Sequence, residues 1–278
     1  MNARHLLWFS FPRSGSNFLS DILAGIDSVE SYREVFQKGG VHAYNSNTPK
    51  EHARKTIEAI GRIYGLSVSS IRDQALIDRI RNAPEKFFDN IHRELGVSAE
   101  TIFSGKVFKG HLSEVKIAND LLPRQDIASL IYIRNPLDTF ISEVKLTVSK
   151  SAISTDTTNL RPALKLADFL RWRKQRQNWM EFFNANSKYF MGVVHYESIT
   201  ALPDLDAQTK ALTKAIVACG IKRDFSFDTS DAKIISKQDT STLPEDKVSN
   251  FGAFIAECAK AGVDPHAEAV TLKVPRLI

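Results

Sequence analysis

Two short stretches of this chain carry residue types whose spacing suits anion chemistry. The first is Pro12-Arg13-Ser14-Gly15-Ser16-Asn17. Gly15 lets the backbone approach an anion closely. The amides of Ser14 to Asn17 can donate to phosphate oxygens, the hydroxyls of Ser14 and Ser16 can add to them, and Arg13 brings positive charge. The second is Ile131 to Lys145, IYIRNPLDTFISEVK, in which Ser142 follows Arg134 by eight residues. That is about two turns of a helix beginning near Pro136, a residue suited to a first turn. A guanidinium fork and a neutral hydroxyl could then grip one phosphate from two sides. The plainer alternatives are an ordinary strand-to-helix turn with a Ser14 or Ser16 cap, and an Arg134 that pairs with Asp138.

Both stretches need elements to hold them. His5 to Phe11 predicts a buried strand, and the apolar repeat Phe18, Leu19, Ile22, Leu23, Ile26 predicts a helix directly after the first loop. Val29 to Tyr32 predicts a second strand ending at Arg33-Glu34. Residues 50 to 95 predict two or three helices punctuated by Gly61, Gly65 and Pro84. Strands follow at Ile102 to Phe108, at the continuous apolar run Ile127 to Ile133, and at Tyr189 to His195. Helices are expected at 162 to 184, near 204 to 219 and at 244 to 261. Strands alternating with helices imply an α/β fold with a mostly parallel central sheet flanked by helices. Arg134 then leaves the end of a strand at the edge where such sheets bind ligands.

The 278 residues carry a net charge of +5 and are 43% hydrophobic, which describes a globular chain with a mild basic excess. No Lys/Arg block interleaved with aromatics occurs, so nucleic acid is not an expected partner. Cys219 and Cys258 sit in apolar helical patterns, expected to pack as small hydrophobes in a reducing compartment. Leu6 to Phe11 is too short for a membrane span or a signal segment, so the expected location is cytoplasmic. One domain over 1–278 is expected, with a helical insertion at about 40–100 on the acceptor side. GxxxxGK[ST] is absent, which counts against an ATP- or GTP-hydrolysing machine. The seven histidines show no metal-ligand spacing, and no metal is expected.

PRSGSNF and IRNPLDTFIS together resemble the two signature segments of the sulfotransferase superfamily, which uses 3′-phosphoadenosine 5′-phosphosulfate (PAPS) and releases 3′-phosphoadenosine 5′-phosphate (PAP). The resemblance implies a fold like that of P-loop NTPases. It implies that Arg13, Ser14, Gly15, Ser16, Asn17 and Phe18 hold the 5′-phosphosulfate, that Arg134 and Ser142 hold the 3′-phosphate, and that Tyr196, in Tyr196-Glu197, lies near the adenine. Ser236 to Asn250 is similar to a C-terminal segment of bacterial carbohydrate-type members, and Lys237 is a candidate for the missing RKG contact of cytosolic members. Those members usually carry Lys and Trp where this chain has Arg13 and Phe18.

Sulfuryl transfer needs aligned groups, a stabilised leaving charge and a base for the acceptor proton. Arg13 is the candidate at the leaving oxygen. Glu34, in Tyr32-Arg33-Glu34-Val35-Phe36, resembles the base segment of bacterial and carbohydrate members. His111, in Lys109-Gly110-His111-Leu112, resembles the KTHLP segment of cytosolic members, where His is the base and the Lys touches the transferring group. An ordinary His takes a proton near neutrality, whereas a Glu needs burial or strict geometry. The two candidates stay open, with the bacterial style of the other segments favouring Glu34. The expected acceptor is a hydroxyl, on a carbohydrate or glycolipid rather than a phenol, with other small molecules and a homodimer left open. Rival readings are a P-loop kinase-like phosphotransferase and a non-catalytic phosphoadenosine-binding module.

Overall fold

The computed structural model describes residues 3–45, 48–150, 156–221, 225–227 and 243–278. Strand β1 (His5–Ser10) leads through the first loop into α1 (Ser16–Ala24) and on to β2 (Val29–Ser31). Three helices follow, α2 (Lys50–Ile63), α3 (Gln74–Asn82) and α4 (Glu85–Leu95). Strand β3 (Ile102–Phe108) runs into a short helix α5 (Glu114–Lys116) extended by one π-helical turn to Leu121. Then come β4 (Ile127–Ile133), α6 (Pro136–Ser149), α7 (Leu166–Ala185) and β5 (Phe190–His195). Helices α8 (Tyr196–Thr200), α9 (Leu205–Ala218), α10 (Pro244–Lys247) and α11 (Phe251–Lys260) complete the order.

The five strands form one parallel sheet in the order β2-β3-β1-β4-β5, as the alternation of strands and helices predicts. Side chains of β1 alternate between two apolar layers. Leu7 and Phe9 face one layer, shared with α2 to α4 and with Trp179 and Phe183 of α7. Leu6 and Trp8 face the other, against Leu19, Ile22 and Leu23 of α1 and Leu212 and Ile216 of α9. The helices between residues 50 and 95 thus bury their apolar faces in the same core as the sheet. Both cysteines are buried apolar packing groups, Cys219 at the end of α9 and Cys258 between α11 and α7. No described helix is long and apolar enough to cross a membrane.

Three departures from the periodicity have local causes. Residues 162–165 are extended rather than helical, because Pro162 and Leu164 are tied through their backbones to Ser249 and to the Asn250 side chain. The helix expected over 244–261 is broken into α10 and α11 by the extended Val248, at the same tie. Beyond α11, Pro275 to Ile278 pair with β5, with Val193 N–H donating to the Pro275 carbonyl at 2.8 Å and Leu277 N–H to the Val193 carbonyl at 2.8 Å. Gly192 permits this close approach, since a Cβ there would lie 2.3 Å from Leu277.

The register aligns the carboxyl ends. Ser10 lies opposite Phe108 on one side and Tyr132 on the other, and Ile133 opposite His195. The chain leaves β1 toward β2 and leaves β4 toward β5, in opposite directions along the sheet. A crevice opens at such a switch point, and ligands of open α/β sheets bind there.

Candidate functional site

The first loop spans the end of β1 and the start of α1. Two of its residues adopt left-handed backbone, Arg13 at φ 65° and Gly15 at φ 81°. The Ser14 side chain turns inward, with its hydroxyl 2.7 Å from the Phe11 carbonyl oxygen and 2.7 Å from Ser10 Oγ. Ser10 Oγ in turn lies 2.7 Å from the Tyr132 carbonyl oxygen and ties the loop to β4. Neither Ser14 nor Ser16 caps α1, so the plainer alternative of a serine-capped turn does not hold. Gly15 occupies the cap position with no side-chain bond, so the first amides of the helix are left for another acceptor.

The second loop follows β4. Asn135 caps α6, its Oδ1 accepting from Leu137 N–H at 3.0 Å and Asp138 N–H at 3.3 Å. Asp138 pairs with Lys247 at 2.7 Å, so Arg134 is not spent on that carboxylate. Arg134 instead reaches the first loop, Nη1 donating to the Arg13 carbonyl at 3.4 Å, while its buried Nε has no hydrogen-bond partner among the described residues. Arg13 Nε donates to Ser142 Oγ at 3.1 Å. Burial lowers the Arg13 pKa below its usual value, and Arg134 adds to that lowering against the opposing Glu143 carboxylate.

Tyr196 closes this group. The Arg134 guanidinium carbon lies 4.6 Å from its ring centroid, and Phe18 meets the same ring edge-on at 6.2 Å. A Cβ on Gly15 would fall 2.4 Å from Tyr196 Cε2, so the loop and ring demand glycine. Glu197 accepts from Asn135 N–H at 2.7 Å and fixes Tyr196 beside the second loop. Arg13, Gly15, Phe18, Arg134, Ser142 and Tyr196, spread over most of the sequence, thus meet at the β1/β4 crevice. The segment 236–242, including Lys237, lies outside the described residues.

A second group gathers at the ends of β2 and β3. Glu34 is held on the backbone by an antiparallel bridge to His42. Its carboxylate has three polar neighbours: Lys106 Nζ at 3.6 Å, His111 Nε2 at 3.7 Å and Gln37 Nε2 at 3.0 Å. Gln37 is held by His42, whose Nε2 lies 2.9 Å from Gln37 Oε1, and His42 Nδ1 lies 3.3 Å from Tyr44 OH. Lys106 is 1% exposed and also donates from Nζ to Asn17 Oδ1. It therefore links the carboxylate to the first loop. Burial lowers its pKa to about 8, opposed by Glu34.

His111 is buried at the turn after β3. The Phe108 amide donates to His111 Nδ1 at 3.3 Å. An N–H can only donate, so Nδ1 must be bare and the neutral ring carries its proton on Nε2, facing Glu34. Burial lowers the His111 pKa to about 4, with the Glu34 carboxylate and the Lys106 carbonyl pulling the other way. Arg81, from α3, fastens this turn by donating from Nε to the His111 carbonyl at 2.7 Å.

Lys109 is exposed and is not brought into this group; Lys106, three residues earlier on β3, stands beside Glu34 in its place. Lys106 is missed by sequence alone, although a lysine inside the strand Ile102–Phe108 is a visible signal. Gln37 and His42 were missed as well, and only the bridge between residues 34 and 42 shows that they share a site.

No family model matches the chain, and no curated protein matches it. Among solved structures, it is similar to the sulfotransferase domain of the olefin synthase from Synechococcus PCC 7002, with a TM-score of 0.45 and 14% identity over 95% of this chain and 96% of that one. It is also similar to the sulfotransferase domain from the curacin biosynthetic pathway, with a TM-score of 0.45 and 14% identity over 98% and 94% of the two chains. Sulfotransferase STF1 from Mycobacterium tuberculosis H37Rv gives a TM-score of 0.42 and 12% identity, over 95% of this chain and 75% of that one.

Proposed function

We propose that this protein is a sulfotransferase that moves the sulfuryl group of PAPS to an acceptor hydroxyl. One observation carries the reading: the Arg13 loop, the Arg134–Ser142 couple and Tyr196 converge at the sheet's switch point. Its residues fit a doubly phosphorylated nucleotide. The uncapped start of α1 suits a 5′-phosphosulfate, and Arg134, whose Nε has no partner among the described residues, suits a 3′-phosphate together with Ser142, since both are joined to the first loop through Arg13.

The nucleotide supplies an activated sulfuryl group. In the transfer, the bond from sulfur to the phosphate oxygen breaks and a bond from sulfur to the acceptor oxygen forms. Arg13 stabilises the charge left on the phosphate. The acceptor proton goes to Glu34. His111 cannot take it at Nε2, because that nitrogen already holds the ring proton, and Nδ1 is occupied by the Phe108 amide. His111 faces the Glu34 carboxylate with its neutral Nε2–H at 3.7 Å, a polar neighbour rather than a base. Lys106 sets the distance between base and loop, a positioning on which in-line transfer depends strongly.

The acceptor side supports a polyhydroxyl molecule such as a carbohydrate or the sugar of a glycolipid. The side chains beyond Glu34, namely Gln37, His42 and Tyr44, are polar and partly exposed, and offer hydrogen bonds rather than an apolar slot. The test is incubation with radiolabelled PAPS and separate fractions of glycans, glycolipids and small metabolites, beside a parallel series with labelled ATP and Mg²⁺. Label should enter a glycan or glycolipid fraction in the PAPS series alone. Transfer from ATP, or PAP binding with no transfer to any fraction, would overturn the reading.

A further inference from the structure

Arg176, on α7, is buried to 3% exposure and lies outside every segment assigned to the site above. Its guanidinium touches three separate parts of the chain. Nη2 donates to the Arg134 carbonyl at 2.8 Å. The guanidinium carbon lies 4.0 Å from the ring centroid of Phe11, the residue that enters the first loop. Nε lies 2.8 Å from Glu268 Oε2 and 3.0 Å from Oε1, and Nη2 also bonds that carboxylate. One turn further along α7, Trp179 Nε1 donates to the Ser10 carbonyl at 3.2 Å.

The backbone explains why donors are needed here. The ladders of β1 and β4 stop at the switch point, so carbonyls at or just past their paired ends lack ladder partners, and buried carbonyls need donors from elsewhere. Trp179 serves the end of β1 and Arg176 the end of β4. The Arg134 carbonyl belongs to the residue whose side chain reaches into the crevice, so a bond that fixes this peptide also aims the Arg134 guanidinium. The same Arg176 group stacks on Phe11, at the root of Arg13. A planar fork can stack and make in-plane bonds together, which an ammonium cannot.

We infer that Arg176, neutralised by Glu268, is a positioning residue that sets Arg134 for the 3′-phosphate of the nucleotide. This rests on the sulfotransferase reading above. It predicts that Arg176 governs discrimination between nucleotides with and without that phosphate, although it touches neither. Unlike the exposed Arg171 and Lys174 of the same α7 run, Arg176 is buried support for the phosphate site.

Calorimetry with PAP and adenosine 5′-phosphate, on wild type, Arg176→Lys and Glu268→Gln, tests this. Wild type should bind PAP more tightly than adenosine 5′-phosphate. In Arg176→Lys that preference should fall about tenfold, and in Glu268→Gln about threefold. A support with no bearing on the phosphate would weaken both nucleotides equally, so an unchanged preference in the folded variants overturns the inference. Should neither variant fold, hydrogen exchange of wild-type residues 166–185 decides by linkage. PAP must then slow exchange more than adenosine 5′-phosphate, and equal protection overturns the inference. Wild type that does not prefer PAP at all would instead overturn the sulfotransferase reading.

Discussion

Arg13 Nε donates to Ser142 Oγ at 3.1 Å across 129 positions of sequence. The bond joins the loop proposed for the 5′-phosphosulfate to the helix proposed for the 3′-phosphate. Arg13 holds this position from a left-handed backbone, φ 65°, which costs a non-glycine residue on the order of 1 kcal/mol. Strain of that kind persists where the surrounding structure requires the side chain, here the link to α6.

Arg13→Gly separates the two roles. Relief of the backbone strain and the greater freedom of glycine in the unfolded chain roughly offset each other, so the midpoint of thermal unfolding should stay within a few degrees of wild type. Turnover should fall by about 10²- to 10³-fold, as for loss of one donor to a developing anion. Single-turnover transfer beside a thermal melt measures both. A variant that melts normally and transfers within threefold of wild type would remove Arg13 from the mechanism.

Glu34→Gln keeps the size and hydrogen-bonding reach of the side chain but cannot accept a proton as a carboxylate does. Its kcat should drop by roughly 10²- to 10⁴-fold. His111→Gln retains a neutral donor toward Glu34 and should lose about tenfold or less. The opposite ranking in single-turnover kinetics would make His111 the base and defeat the tautomer argument built on the Phe108 amide.

Gly15→Ala places a methyl 2.4 Å from Tyr196 Cε2 at a φ of 81°. Overpacking and backbone strain together should cost about 2–4 kcal/mol, and PAP affinity should fall at least tenfold. Tyr196→Ala in the same chain removes the clash and leaves the strain, so a double-mutant cycle should show coupling of more than about 1 kcal/mol. Additive losses would mean that the ring does not press on this loop in solution.

Most of the scaffold was legible because the strands advertise themselves. Ile127–Ile133 is a continuous apolar run, Ile102–Phe108 has apolar residues at both ends, and the structure returns both with the same limits. Arg13, Arg134 and Ser142 stand out by residue type, since the phosphate chemistry they suit is local, but the bond of Ser142 to Arg13 depends on how α6 packs against the first loop. The environment of Glu34 does not stand out. Its neighbours Lys106, His111 and Gln37 depend on how β2 pairs with β3 and on the bridge from residue 34 to 42, neither of which has a sequence period. Arg176 was hidden for a related reason. It lies in the charged run Arg171-Trp172-Arg173-Lys174-Gln175-Arg176, and only the docking of residues 267–273 along α7 buries one arginine of that run.

Acid should weaken the fold through its buried histidines. Burial lowers His111 to about 4 and His5, packed among Phe88, His92 and Phe103, to about 3. Below an unfolded value near 6.5 the unfolded chain binds these protons first, so stability falls as the pH drops from about 6.5 toward those folded values. For His111 the loss is on the order of 3 kcal/mol. Urea unfolding at about pH 7 and pH 4.5 should therefore show a smaller acid loss in His111→Gln than in wild type. Equal losses would mean that this ring is not buried neutral.

Lys106 makes a prediction of the opposite sign for activity and for stability. Its ammonium donates to Asn17 and lies 3.6 Å from Glu34 Oε1, and its folded pKa is lowered, chiefly by burial, to about 8. Above that pH the side chain becomes neutral, its hold on base and loop weakens, and kcat should fall along a basic limb centred near pH 8. Stability should move the other way. The unfolded lysine keeps its proton up to about 10.5, so between about 8 and 10.5 the unfolded chain binds more protons than the folded one, and this residue's contribution to stability rises with pH. A rate that declines while urea resistance holds or improves is the signature of Lys106 titrating, and it excludes alkaline unfolding as the cause. In Lys106→Met the remaining activity should lose that limb. If the limb persists at the same pH in this variant, a group other than Lys106 sets it, and the bridge between Glu34 and the phosphate loop is not what turnover depends on.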